Sequence, residues 1–252
     1  MAATEHSTDL FTVRRVPLTR SFTWVRDGWN DLLHHRAASL AYGILVSALG
    51  MLIFAYSRHP FYVAAVTVGF LLVGPILTAG CCELSRRRDE GEPADFQHSL
   101  EPLSRARGSL LGVAGTLVVL ALVWLGLSGS IYFSLVGDVA PGLSSTVWGD
   151  VMQHLSVAQL LAYAAVGLVL CAAVFILSVV AVPMIVERDV QASTAMGTSV
   201  RVALGNLPAL LVWAAVIVIL VLFGVFTGLI GLIFVFPLLG HATWRGYKEM
   251  VE

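Results

Sequence analysis

Charged side chains are few: Asp, Glu, Lys and Arg make up 12% of the 252 residues, where a soluble domain carries about 25%. Neither sign is in excess, since 15 cations face 16 acids for a net charge of −1. That balance excludes a strong electrostatic pull on nucleic acid, and no nucleic-acid motif is present. Cysteine is scarce as well. Cys81 and Cys82 are neighbours and Cys171 stands inside an apolar run, so no disulfide framework is expected and all three read as small helix residues. The first residues, MAATEHSTDLFTVRRVPLTR, hold cations but no apolar core or small-residue cleavage site, so no removable signal peptide is expected. Residues 1–20 read as a disordered cytoplasmic tail.

Apolar residues are abundant: 58% of the chain is hydrophobic and the mean hydropathy is +0.85. A helix rises about 1.5 Å per residue, so about 20 apolar residues cross a 30 Å hydrocarbon core. Ala37–Tyr56, Phe61–Cys82, Ser109–Val136 and Val157–Val186 meet that length. The next run, Leu207–Ala242, is uncharged and as one straight helix would reach about 50 Å. It must therefore fold back, and the glycines of FGVFTGLIG, Phe223–Gly231, ease the reversal. The expected architecture is an all-α polytopic membrane helix bundle, residues 21–252 forming one domain of six transmembrane helices arranged as three hairpins. On that plan every Lys and Arg except Arg58 falls on one side. Cationic loops are retained in the cytoplasm, which places both termini there.

Each incoming span is preceded by a stretch with helical apolar spacing. In the first, Phe22, Val25, Trp29, Leu32 and Leu33 share a face, away from Arg26, Asp27, Asn30 and Asp31. This face should lie on lipid, with Trp24 and Trp29 in the headgroup layer. The second is Pro93–Ser104, with Phe96, Leu100 and Leu103 on one face and Pro93 near the helix start; the third, Val190–Leu204, groups Ala195, Ser199 and Val202. These are the cytoplasmic amphipathic interfacial helices of the plan. Each outgoing span carries a proline near its cytoplasmic end: Pro75, Pro183 and Pro237. Proline lacks an N–H and clashes with the carbonyl four residues earlier, so kinks are expected that leave the carbonyls of Leu71, Val179 and Ile233 without their usual partners. Near the interface water is at hand, which limits the cost.

Small residues recur at every fourth position in Ser39, Gly43 and Ser47, in Gly108 and Gly112, in Gly126 and Ser130, in Gly167 and Cys171, and in Gly224 and Gly228. Such stripes let helices approach closely; spacing does not decide between a neighbour in the same chain and a second copy, so homo-oligomerisation stays open. No charge lies near the middle of a span, which disfavours ion-coupled transport. No nucleophile elbow, phosphate loop or zinc motif occurs, so no catalytic, cofactor-binding or metal-binding residue is assigned and no cofactor is expected. The polar residues at the cytoplasmic helix ends, Glu83, Arg86, Glu187, Arg188, Asp189, His241 and Arg245, form a candidate polar cluster. The plainer account makes them solvated flanks that fix helix depth, with His241 a hydrogen-bonded packing residue.

Together the motifs SLAYG (Ser39–Gly43), GPILTAG with ELSRRRDEGE (Gly74–Glu92), VPMIVERD (Val182–Asp189), Asn206 ahead of Trp213, and FPLLGHATW (Phe236–Trp244) resemble the bacterial predicted integral membrane proteins catalogued as domain of unknown function 2189. The resemblance covers nearly all of the chain beyond the first twenty residues. It implies a multi-pass protein of the bacterial cytoplasmic (inner) membrane and implies no activity. Two positions depart from the pattern: Glu187 and Arg188 stand where aspartate and arginine are usual, and Arg245 stands where a second histidine tends to follow. A histidine pair four apart could hold a metal, but arginine cannot ligate one.

These readings favour a non-enzymatic scaffold, assembly or regulatory component whose partners are the lipid bilayer and other membrane proteins. The alternative is a passive or weakly coupled carrier or channel for a neutral or amphiphilic solute. Third comes a membrane-embedded enzyme acting on lipid, which requires His241 to meet Glu187 or Asp189.

Overall fold

A computed structural model of the chain describes residues 11–55, 74, 77–136 and 156–252. The regular elements among the described residues are all helices: α1 Arg20–His34, α2 Arg36–Ala55, α3 over residues 77–90, a 3-10 turn His98–Leu100 leading into α4 Glu101–Arg105, α5 Arg107–Val136, α6 Val157–Ser178, α7 Ala181–Arg188, α8 Ala192–Gly205, α9 Leu207–Phe226 and α10 Leu232–Met250. Three stretches are long and apolar enough to cross a membrane, Arg107–Leu127, Gly167–Arg188 and Leu207–Phe226; α1 and α2, bent by 107° at His35, make a fourth if counted together. Most of the expected span Phe61–Cys82, with Pro75 and Leu71, and the connections around Arg58 and Gly137–Ser156 lie outside the described residues.

The uncharged run does reverse. α9 ends at Phe226 and α10 begins at Leu232, and between them Gly228 and Leu229 both take positive φ, +66° and +70°, with the Leu229 N–H returning to the Gly224 carbonyl at 3.0 Å. Trp24 fixes the direction of the second helix. Its ring meets Trp213, near the start of α9, at 5.7 Å in an edge contact, and it also packs on Gly246, near the end of α10. One side chain can touch both only if the two helices run in opposite senses.

α10 is the post against which α1 and α2 pack. A Cβ at Gly28 of α1 would lie 2.7 Å from the Ala242 nitrogen, and one at Gly43 of α2 would lie 1.9 Å from the Ile233 carbonyl oxygen. The stripe Ser39, Gly43, Ser47 therefore faces a neighbour in the same chain, with the Ser47 hydroxyl donating to the Leu229 carbonyl at 2.9 Å. Ile233 is the residue whose carbonyl Pro237 strips of its N–H partner. Backbone of α2 now covers it, a close approach of the Cα–H···O kind.

The largest buried core, containing Trp24, Trp213, Trp244, Tyr247, Met184, Ile185, Leu110 and Leu210, gathers where α1, α7, α8 and the latter half of α10 meet. The apolar lengths of α5 and α9 are 22% buried and leave Leu111, Val119, Leu122, Val218, Ile219 and Phe226 exposed. Apolar surface on that scale is what a bilayer covers.

Several expectations are corrected. In α1 the protein-facing stripe is Ser21, Trp24, Gly28, Asp31 and Leu32, whereas Phe22, Trp29 and Leu33 are exposed. Trp24 is thus a core residue and not a headgroup anchor, and Leu32 turns inward. The second amphipathic stretch is shorter than expected: residues 92–95 are irregular, and Pro102, not Pro93, begins the helix. The third, α8, buries Ala195, Thr198, Ser199, Val202 and Ala203 against its neighbours, so that face meets protein. Pro183 makes no kink inside a continuous helix. α6 stops at Ser178 and α7 restarts at Ala181, which puts Pro183 in a first turn, where no N–H partner is needed. Ser199 bridges the break, donating to the Ile176 carbonyl at 2.7 Å and accepting from the Val180 N–H at 3.4 Å. Pro237 does lie inside its helix. Cys171 is exposed while Cys81 and Cys82 are buried.

Residues 11–19, expected to be disordered, are held. Val13 forms an antiparallel bridge with Val251, the Arg14 N–H donates to the Met250 carbonyl at 2.9 Å and the Glu252 N–H to the Thr12 carbonyl at 3.0 Å. Asn206 extends this clasp: its amide oxygen accepts from the Val16 N–H at 2.8 Å and its amide nitrogen donates to the Arg14 carbonyl at 2.9 Å.

Candidate functional site

The described polar side chains concentrate at one end of the bundle, and the most enclosed of them centre on Asp31. Its carboxylate is 1% exposed. Arg245 grips it with two donors, Nε to Oδ2 at 2.8 Å and Nη2 to Oδ1 at 2.7 Å. Arg88 donates to Oδ1 as well, and the Ser85 hydroxyl donates to Oδ2 at 2.8 Å. Burial pushes the Asp31 carboxyl up, but the hydrogen bonds and charge of Arg245 and the Ser85 hydroxyl outweigh it, so the group lies below its ordinary carboxylate value. Arg245 also reaches Asp89 at 2.7 Å, and the Trp244 indole N–H donates to the other Asp89 oxygen at 2.9 Å.

Ser85 continues the network inward, with 2.7 Å between its hydroxyl and His241 Nδ1; His241 Nε2 lies 2.9 Å from the Ser39 hydroxyl. An ionised carboxylate only accepts, so Ser85 spends its single proton on Asp31 and must accept from Nδ1–H. A neutral ring then has Nε2 free as acceptor, and Ser39 donates to it. The chain runs one way, Ser39 to His241 to Ser85 to Asp31, and ties α2, α10, α3 and α1 together. Its order matches a nucleophile, a base and an orienting acid. The chemistry is nevertheless muted: Ser39, Ser85 and His241 are each 0% exposed, and two guanidiniums already neutralise the carboxylate. What the arrangement does is hold four helices in one register.

The expected cluster divides into three. Arg245 and His241 join the Asp31 network. Glu83, 0% exposed, is chelated by Arg86 through Nε at 2.9 Å and Nη2 at 2.7 Å and also accepts from Arg87 Nε at 2.9 Å; Arg87 goes on to Glu101 at 2.6 Å. Glu187 accepts from the Tyr247 hydroxyl and from Lys248, and Arg188 donates to Tyr247 at 3.0 Å while its guanidinium stacks 4.8 Å from the Phe11 ring centre. Asp189 is exposed and ends α7 in the left-handed region, φ +51°. The two ring nitrogens of His241 are bonded to Ser39 and Ser85, so the meeting of His241 with Glu187 or Asp189 that a lipid enzyme requires is not formed. Glu83 and His241 are enclosed and Arg86 and Arg87 nearly so, which corrects the reading of them as solvated flanks; that reading holds for the exposed Asp189.

Sequence reasoning missed Asp31, Ser85, Asp89 and Tyr247, and took Ser39 for a packing residue only. One signal was present. Ser21, Trp24, Gly28 and Asp31 recur at helical spacing, and a glycine inside such a stripe marks close approach to another backbone. Among the described residues no three His, Cys, Asp or Glu side chains converge as metal ligands.

In comparisons with known proteins, the model of the family described as Predicted integral membrane protein (DUF2189) matches residues 62–187, half of the chain. No curated protein and no solved structure matches.

Proposed function

The chain belongs to the family of predicted integral membrane proteins designated domain of unknown function 2189, and on that premise we propose a non-enzymatic membrane component that scaffolds, assembles or regulates other membrane proteins. The observation that carries this reading is the internal saturation of the polar end. Asp31, Glu83 and His241 are buried and their charges or lone pairs are taken up by neighbours. Such a network rigidifies and specifies an arrangement; it presents no group to a substrate.

In this reading the chain crosses the bacterial inner membrane six times as three hairpins. The amphipathic segments lie on the cytoplasmic surface and both termini are cytoplasmic. The segregation of Lys and Arg supports that orientation. The bridge between Val13 and Val251 supports an even number of crossings, since both chain ends then lie on one side. The partner-facing surface is α1, whose Phe22, Trp29 and Leu33 remain exposed beside the rigid network.

Crosslinking in native membranes followed by purification of the full chain tests the proposal. A defined membrane protein should be captured, should return the chain in the reciprocal capture, and should be lost when Phe22 and Trp29 are both replaced by Ser. A chain that stays monomeric and uncrosslinked in the wild type, or one whose captured set is unchanged in the double variant, removes the basis for this function.

A further inference from the structure

The elbow between α1 and α2 encloses a hollow of about 430 Å³, within the range of small-ligand sites, lined by His34, His35, Arg36, Ala94, Asp95, Phe96 and the first turn of α2. Its walls carry opposite charges. On one side, the Arg36 guanidinium commits only Nε, to the Leu33 carbonyl at 3.0 Å, and four of its five donors have no assigned partner. It stands at the start of a 20-residue helix, whose positive dipole end adds to the same sign. On the other side, Asp95 Oδ1 accepts both the backbone N–H and the Nδ1–H of His98, at 2.9 and 2.8 Å, the Gln97 backbone N–H also lowers the carboxyl below its ordinary value, and the side chain remains 64% exposed and open to a further donor. Behind the wall, His35 Nε2 is buried without a partner among the described residues. Below the elbow, α2 leaves Ile44 and Leu45 exposed, about 12 Å along the helix from Arg36.

A purely anionic group would gain Arg36 but meet Asp95, and a purely cationic one the reverse. A headgroup holding both charges matches both walls. We propose that this hollow binds the headgroup of a zwitterionic phospholipid bearing a primary ammonium, with the phosphate against Arg36 and the first turn of α2, the ammonium against Asp95, and the acyl chains along Ile44 and Leu45. The inference rests on the reading above in which α1 lies at the membrane surface and α2 descends from it. An ammonium with N–H donors can give one to the exposed Asp95 carboxylate; a trimethylated one has no N–H to give.

The test uses the full chain in a neutral detergent, with native mass spectrometry following the binding of short-chain phosphatidylethanolamine, phosphatidylcholine and phosphatidylglycerol and of soluble phosphoethanolamine. One phosphatidylethanolamine should bind about tenfold more tightly than either other lipid, the size of one charge-assisted hydrogen bond gained or lost. Asp95→Asn, at an exposed position, should erase that preference without changing the melting temperature. Arg36→Gln should weaken all three lipids alike, and Ala94→Trp, which fills the hollow, should abolish one-to-one binding. Equal binding of the three lipids overturns the proposal, as does a preference that survives Asp95→Asn. Phosphoethanolamine bound as tightly as the lipid overturns the lipid as occupant. None of these measurements depends on orientation in a bilayer. Headgroup selectivity found in a chain whose Glu252 proves periplasmic would therefore retain the site and discard only the topology on which its placement rests.

Discussion

At the scale of single residues, Asp31 has the largest effect assigned to it. An exposed ion pair contributes at most about 1 kcal/mol, but Asp31 is enclosed and is the shared acceptor for Arg245, Arg88 and Ser85. Removing one partner of such a buried set strands the others, at a cost of about 3 to 5 kcal/mol. Asp31→Ala should therefore lower the unfolding free energy in detergent by that amount, read from the fluorescence of the core tryptophans Trp24, Trp213 and Trp244. The pH dependence has a definite sign. The folded carboxyl lies below its ordinary value, so the stability it adds is complete above the unfolded value of about 3.9 and is lost as the pH falls through the lower folded value. The gap between wild type and Asp31→Ala should be constant at neutral pH and close in acid. A gap that instead closed between pH 6 and 8 would mean that another group, with His241 the nearest to suspect, controls the network.

At the scale of elements, helix packing turns on small residues, and the sign of a glycine substitution follows from what its Cβ meets. Ala exceeds Gly in helix propensity by about 1 kcal/mol. At Gly115 of α5 nothing among the described residues lies within 4 Å of an added Cβ, so Gly115→Ala should be neutral or stabilising. At Gly43 the Cβ would enter the backbone of α10 at Ile233, and overpacking costs about 1 to 3 kcal/mol. Gly43→Ala should therefore destabilise; matching melting temperatures for the two variants would refute the close packing of α2 on α10. The turn at Gly228 and the stripe of α2 were legible in the sequence, because φ > 0 and close approach both select glycine. The inward face of α1 was not. Apolar spacing there picks out Phe22, Val25, Trp29, Leu32 and Leu33 as the face turned from protein, and Phe22, Trp29 and Leu33 are exposed, but it does not say which residues of the opposite side meet a neighbour. Protein takes the stripe of small, polar and aromatic residues, Ser21, Trp24, Gly28 and Asp31, whose small members allow close helix approach. Pro183 was misjudged for a related reason, because a missing N–H suits a helix start as well as a kink. Of the polar site, the residue set at the helix ends could be listed from sequence, but its division among Asp31, Glu83 and Glu187 depends on which helices touch. A test of the break at Val179 and Val180 follows. Ser199→Ala removes the hydroxyl that joins Ile176 to Val180 and should cost about 1 to 2 kcal/mol, with faster amide exchange confined to that junction.

At the scale of the whole molecule, the number of crossings is constrained by the chain ends more than by hydropathy. Among the described residues, helix length and composition select three spans, or four with the bent pair of α1 and α2, and they pass over α10 because Arg245, Lys248 and Glu249 crowd its last turns. Yet Val13 and Val251 are bridged, Arg14 and Thr12 exchange backbone hydrogen bonds with Met250 and Glu252, and Asn206 binds the same segment. Backbone pairing of this kind is not made across a hydrocarbon core, and this supports the even number of crossings proposed above. The proposed plan of six keeps the parity and keeps Lys and Arg together. Fusing a reporter that is active only in the periplasm ahead of Met1 and, separately, after Glu252 should give two inactive proteins, while a reporter active only in the cytoplasm should be active at both ends. Opposite signals at the two ends would break the clasp and the even count together. Equal periplasmic signals would preserve the clasp but invert the orientation, and the arginine-rich ends of α1, α3 and α10 would then face away from the compartment that retains cationic loops.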